Sequence, residues 1–150
     1  HHLGRRLQAQ LKKIHPNHRM KRVVTFGTFD LFHIGHLNIL ERASKMGGHL
    51  IVGVSSDELN FSKKQFHPVF SYADRARLVG ALACVDEVFK EESLEAKGEY
   101  LIEHNADILV MGADWEGKFD CFRKLCEVMY LPRSPDISTT ALKERLRFPV

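Results

Sequence analysis

Apolar residues in this chain fall into short unbroken runs, separated by longer stretches in which they recur every three or four positions. Val23-Val24-Thr25-Phe26 is apolar and β-branched and predicts a strand; Leu50-Ile51-Val52-Gly53-Val54 and Ile108-Leu109-Val110-Met111 predict two more. Weaker runs at 85–89 and 127–131 make five, the last ended by Pro132. Between the runs, Leu37, Leu40, Ala43 and Met46 share one helical face that Gly47-Gly48 closes. Ser71 caps a helix through Leu78, Val79 and Leu82, a further helix lies around 98–104, and Ser138 caps a terminal helix through Leu142 and Leu146. The polar stretch 55–67 predicts a loop, as does the glycine- and acid-containing stretch 112–120.

Strands that alternate with helices pair in parallel through right-handed crossovers, and near-continuous apolar strands suit a sheet covered on both faces. The expected fold class is therefore α/β, a Rossmann-like doubly wound parallel sheet in three α/β/α layers. Such sheets bind ligands outside the carboxyl ends of their strands, where the strand order reverses. Each polar cluster here follows a strand: 28–36, 55–65, 112–120 and 133–140. They are expected to form one shared site.

The 150 residues suit one domain. Residues 1–19 stand apart: His1-His2 open them, and Leu3, Leu7, Leu11 and Ile14 recur at helical spacing among Arg5, Arg6, Lys12 and Lys13. They read as a leader or tag-derived segment, leaving 20–150 as the domain. A formal charge of +3 demands neither a nucleic-acid nor a membrane partner, and no apolar run approaches membrane-spanning length. The three cysteines, Cys84, Cys121 and Cys126, lack CxxC spacing, which points to a reduced, cytoplasmic setting rather than a disulfide framework or zinc site.

The densest chemistry lies in Gly27-Thr28-Phe29-Asp30-Leu31-Phe32-His33-Ile34-Gly35-His36, between a strand and a helix. Helix N-termini hold phosphate, and histidines three apart at such a turn can donate to phosphoryl oxygens and stabilise charge developing there. Asp30 reads either as a ligand that orients Mg²⁺ or its waters, or as a turn-forming aspartate bonded to its own backbone. Arg75 begins a helix, where the dipole does not favour a cation, and this points to an anionic partner. Trp115, the single tryptophan, lies in a loop and can stack on a base, wall an acceptor pocket or pack beneath the loop. Arg133 can hold phosphate in bidentate fashion, and Ser138 with Thr139 forms a hydroxyl-rich helix start suited to phosphate.

The run GTFDLFHIGHLNIL resembles the signature of the cytidylyltransferase branch of the nucleotidyltransferase superfamily. In matching order follow Asp74-Arg75-Ala76-Arg77-Leu78-Val79, the loop from Met111 through Gly112-Ala113-Asp114-Trp115-Glu116-Gly117-Lys118-Phe119-Asp120, and Tyr130-Leu131-Pro132-Arg133 leading to Ile137-Ser138-Thr139-Thr140. The resemblance spans roughly 20–146 and is nearest to the bacterial enzymes that use glycerol 3-phosphate. It implies attack by an alcohol phosphate on the α-phosphorus of CTP, with release of pyrophosphate and no covalent enzyme intermediate. Positioning and charge neutralisation then supply most of the acceleration.

By the same resemblance, His33 and His36 bind the triphosphate and stabilise the five-coordinate phosphorus. Thr28 and the amides near Phe29 contact phosphate, and Asp114 accepts from the cytosine amino group or the ribose. Arg133, Ser138 and Thr139 hold the triphosphate. Lys63, Arg75, Trp115 and Asp30 serve the acceptor, with Mg²⁺ accompanying CTP. Family members carry lysines two apart where this chain reads Lys63-Lys64-Gln65, so one lysine, Lys63, is carried over. Ser134 and Pro135-Asp136 depart from the commoner Thr and Glu-Gly. The resemblance also implies a homodimer and a product destined for teichoic acid or capsule polymers. The alternatives are another acceptor (ribitol, ethanolamine or choline phosphate) or a non-catalytic nucleotide-binding domain of a larger capsule-synthesis protein.

Overall fold

Five strands form one sheet, and every neighbouring pair is parallel. The computed structural model describes residues 4–5, 20–133 and 138–147. The leader assigned to 1–19 lies outside the described residues apart from Gly4 and Arg5, as do Ser134, Pro135 and Asp136. The elements are β1 (Lys21–Gly27), α1 (Ile34–Lys45), β2 (Gly48–Ser55), α2 (Asp57–Lys64), α3 (Tyr72–Gly80), β3 (Glu87–Glu91), α4 (Lys97–Glu103), β4 (Ile108–Gly112), β5 (Glu127–Leu131) and α5 (Thr139–Arg147). Among the described residues no helix is long and apolar enough to cross a membrane.

Alternation along the strands builds a core on each face of the sheet. Val23, Leu50, Val52, Val54, Ile108 and Val110 pack with Leu40 and Ala43 of α1 and Val79 of α3. On the other face, Val24, Ile51, Leu109 and Val128 pack with Leu101 of α4. The doubly wound α/β architecture is as expected, in the order β3-β2-β1-β4-β5. Connections leave β1 in one direction to β2 and β3, and the chain returns on its other side to β4 and β5. The reversal opens a crevice where β1 and β4 end.

The stretch 55–67 differs from expectation: it contains α2 rather than an unbroken loop. Ser56 caps this helix, its Oγ accepting from Leu59 N at 3.0 Å. Asp57 and Glu58 stand in the first turn and Lys63 and Lys64 in the last, each sign at the favourable end of the dipole. With Leu59 and Asn60 as its buried residues, α2 carries no apolar stripe to betray it. It stops at Gln65, which has the left-handed φ of 63°. The stretch after β4 also holds short 3₁₀ turns, at Ala113–Trp115 and Asp120–Lys124.

Candidate active site

The turn after β1 is built on two left-handed non-glycine residues, Phe29 (φ 54°) and Leu31 (φ 49°). Such backbone costs energy and needs outside support. Phe29 supplies some by burying its ring, which lies so close to Gly27 that a Cβ there would meet it at 2.7 Å. Asp30 supplies more. Only 4% exposed, its Oδ1 accepts from Leu31 N at 3.1 Å and Phe70 N at 2.9 Å, and its Oδ2 from Val69 N at 2.7 Å. Lys143 Nζ stands 3.6 Å from Oδ2. With its lone pairs so engaged, Asp30 fits the turn-forming role and not that of an Mg²⁺ ligand; it staples 69–70 to the turn. Among the described residues no group of three or more His, Cys, Asp or Glu could hold a metal ion.

The two histidines start α1 by capping it for one another. His33 is the N-cap and its Nδ1 accepts from Gly35 N at 3.0 Å, while His36 Nδ1 accepts from His33 N at 3.2 Å. A nitrogen that accepts an amide hydrogen carries no proton, so each neutral ring holds its proton on Nε2. The rings stack with centroids 3.8 Å apart. Burial pushes the pKa of His33 down. It pushes His36 down to about 4, with His33 adding to the fall and Asp30 opposing it. His33 Nε2 reaches Thr139 Oγ1 at 3.4 Å, and that hydroxyl donates to Asp30 O at 3.1 Å. Ser138 caps α5, its Oγ accepting from Ala141 N at 3.0 Å.

Beneath the turn lies a closed ring of hydrogen bonds. Thr28 Oγ1 donates to Asn60 Oδ1 (2.9 Å), Asn60 Nδ2 to Ser55 Oγ (2.7 Å), and Ser55 Oγ to Thr28 Oγ1 (3.2 Å). The Thr28 hydroxyl hydrogen thus goes to Asn60. Arg75 braces the same place and differs from expectation. It is 0% exposed, and donates to Thr28 O, Ser55 O and Phe70 O while pairing with Asp57 at 2.7 Å. A guanidinium spent on three carbonyls and a carboxylate has no free face for an acceptor phosphate; Arg75 is a strut.

Two clefts open above this base, of about 340 and 250 Å³. They share His36, Ile39, Gly112, Asp114, Arg133 and Thr139. The larger adds Thr28, Phe29, Asp30 and Trp115; the smaller adds His33, Gly35, Ser138 and Thr140. Arg133 Nη2 pairs with Asp114 Oδ2 at 2.7 Å, with both side chains more than half exposed, so the pair is weakly held and the guanidinium is available to an anion. Lys63 lines neither cleft, and Lys64 lines the larger one instead. Lys63 is exposed, yet partial desolvation pushes its pKa down, with Glu91 opposing. Asn60, Lys64, Phe66 and Lys143 also line the larger cleft and were not picked out from sequence. Lys143 carried a usable signal: it stands one helical turn after Thr139 and shares its face.

Residues 24–145 match the model of a family described as cytidylyltransferase-like. The chain is 49% identical over 129 residues to the glycerol-3-phosphate cytidylyltransferase of Bacillus subtilis, covering 85% of this chain and 98% of that protein. It is 42% identical over 127 residues to the protein of the same name from Staphylococcus aureus, covering 85% and 96%. Among solved structures, the lipopolysaccharide core biosynthesis protein of Thermoplasma volcanium shares the fold with a TM-score of 0.66 at 24% identity, over 77% of this chain and 98% of that one.

Proposed function

The chain belongs to the cytidylyltransferase-like family, and from that premise we propose that it transfers a cytidylyl group from CTP to glycerol 3-phosphate, releasing pyrophosphate. The observation that carries this reading is the pair of adjoining clefts that meet at His36, in a chain aligned with almost the whole length of relatives bearing that activity in their names. A two-substrate transfer needs two subsites with the reacting phosphorus at their junction.

The smaller cleft suits the triphosphate. It has the start of α1 with the Nε2–H edges of His33 and His36, and Thr139 and Thr140 at the start of α5. The larger cleft suits the acceptor, with Lys64 and Lys143 as cations and Trp115 as a wall. An acceptor phosphate oxygen attacks the α-phosphorus in line, its new P–O bond forming as the bond to the β-phosphate oxygen breaks. The electron pair leaves with pyrophosphate, and the acceptor needs no general base because it is already an anion. The neutral imidazoles donate from Nε2 to the equatorial oxygens, and Arg133 leaves Asp114 for the triphosphate.

Mg²⁺ is proposed to arrive on CTP; Asp30 does not fit as its ligand and no step is assigned to the ion. A homodimer working in the cytoplasm, with CDP-glycerol destined for teichoic acid or capsule polymers, is proposed on the family resemblance alone.

The test is pyrophosphate release across nucleoside triphosphates and phosphorylated alcohols, with and without Mg²⁺. CTP with glycerol 3-phosphate is expected to give the highest kcat/KM, and His36→Ala to lower turnover roughly 10²- to 10³-fold with an unchanged circular dichroism spectrum, the cost of losing a donor to developing charge. Nucleotide binding without turnover on any acceptor would favour a non-catalytic domain, and near-wild-type turnover in His36→Ala would remove that residue from the mechanism.

A further inference from the structure

Lys143 holds its ammonium between a carboxylate and an aromatic ring inside the larger cleft. Its Nζ stands 3.6 Å from Asp30 Oδ2 and 5.2 Å from the ring centroid of Phe66, and all three residues line that cleft. With the lysine side chain 36% exposed, such a pair adds little to stability. Nor does Asp30 need the lysine, since the amides of Leu31, Val69 and Phe70 already bond its oxygens. The other carboxylate of this cleft, Asp114, is shared with the smaller cleft and pairs with Arg133. A carboxylate beside an aromatic face is the arrangement that binds an ammonium group. Here the chain's own lysine fills it.

We propose that Lys143 is a specificity-determining residue: its ammonium occupies the place that the ammonium of a phosphorylated amino alcohol would take, and so restricts the acceptor to uncharged polyol phosphates. Alcohol phosphates divide at their far end, which is neutral in a polyol and cationic in an amino alcohol. The charge on Lys143 attracts the phosphate common to both. An amino alcohol, however, meets a like charge and finds Asp30 and Phe66 already engaged, so the wrong acceptor is rejected by repulsion. The assignment of this cleft to the acceptor rests on the proposed function; the filling of an ammonium site by Lys143 does not.

The discriminating acceptors are ethanolamine phosphate and the monophosphate of ethylene glycol, which differ in carrying an ammonium or a hydroxyl. Each bears one phosphate, so any attraction lost to the phosphate cancels in the ratio of their kcat/KM values at saturating CTP. The wild type is expected to favour the ethylene glycol ester. Lys143→Met is expected to lower kcat/KM for glycerol 3-phosphate and to shift the ratio about tenfold toward ethanolamine phosphate. That is the scale of a substrate ammonium gaining the aromatic face and losing a like charge. Lys143→Arg keeps the charge and is expected to hold the ratio within about twofold of the wild type.

An unchanged ratio in folded Lys143→Met overturns the proposal, as does an equal shift in Lys143→Arg or a wild type that prefers ethanolamine phosphate. Should Lys143→Met not fold, Lys143→Gln carries the same expectations. A wild type that prefers another uncharged polyol phosphate to glycerol 3-phosphate corrects the proposed function and supports this inference. If the wild type transfers no cytidylyl group at all, the proposed function fails, while the ratio of Kd values for the two esters, read by calorimetry, still decides the role of Lys143.

Discussion

With a pKa of about 4, His36 is neutral through the physiological range, and its neutral Nδ1 is what accepts the amide of His33. Protonation there breaks the cap of α1 while adding charge beside His33. An unfolded histidine titrates near 6.5, so as pH falls the unfolded state takes up the proton first. The stability that His36 confers is therefore complete above about pH 6.5 and is lost as pH falls toward 4. The expected outcome is a His36 Cε1 proton resonance titrating near 4, and a urea midpoint that drops between pH 7 and pH 4.5 by more in the wild type than in His36→Ala. A resonance that titrates near 6.5 would contradict this account. The place of the two histidines at the start of α1 was legible in the sequence. The fate of Arg75 was not: an arginine at a helix start has the same sequence context whether it faces a phosphate or three buried carbonyls. Asp30 was legible only as two alternatives, because the amides of Val69 and Phe70 that decide between them lie far along the chain.

At the scale of elements, the junction of α1 with β2 is the tightest place that sequence could indicate but not explain. Gly47-Gly48 reads as a helix stop, and α1 does end just before it, with its C-cap at Met46. Gly48 needs its positive φ of 90°, whereas Gly47 is needed for room: a Cβ there would strike the Lys21 carbonyl oxygen and come 2.6 Å from Val23 Cγ2. Because backbone cannot yield as a side-chain end can, Gly47→Ala is expected to cost about 2 kcal/mol, seen as a lower urea midpoint with an unchanged m-value. A wild-type midpoint would mean that the junction relaxes freely. β1, β2 and β4 were legible because each carries a compact apolar run buried on both faces, whereas the edge strands β3 and β5 keep half-buried and exposed positions and read more weakly. α2 was hidden because its amphipathic signal reduces to Leu59 and a buried asparagine, and the position of Lys64 over the cleft depends on that helix.

Across the whole molecule, Arg75 joins the ends of β1 and β2, the segment before α3 and the first turn of α2. Arg75→Met keeps much of the bulk but leaves Thr28 O and Ser55 O without these donors and Asp57 unpaired. The expected loss is roughly 3–5 kcal/mol, the range for breaking a buried pair, and a fall in Tm of about 10 °C. Thermal unfolding at wild-type temperature would show that the strut is dispensable. The strand order has a consequence of a different kind. Val23 pairs with Leu50 on one side, but on the other with Ile108, from far later in the chain. One lip of the clefts, at Thr28–Asp30 and His36, forms with β1 and α1; the other, at Ala113–Trp115, waits for β4. A chain leaving the ribosome N-terminus first therefore has half a binding site through most of its synthesis. CTP can raise the stability of the finished domain by mass action, yet it has no complete site to grip before β4 is made, when only β1, β2 and β3 are there to pair.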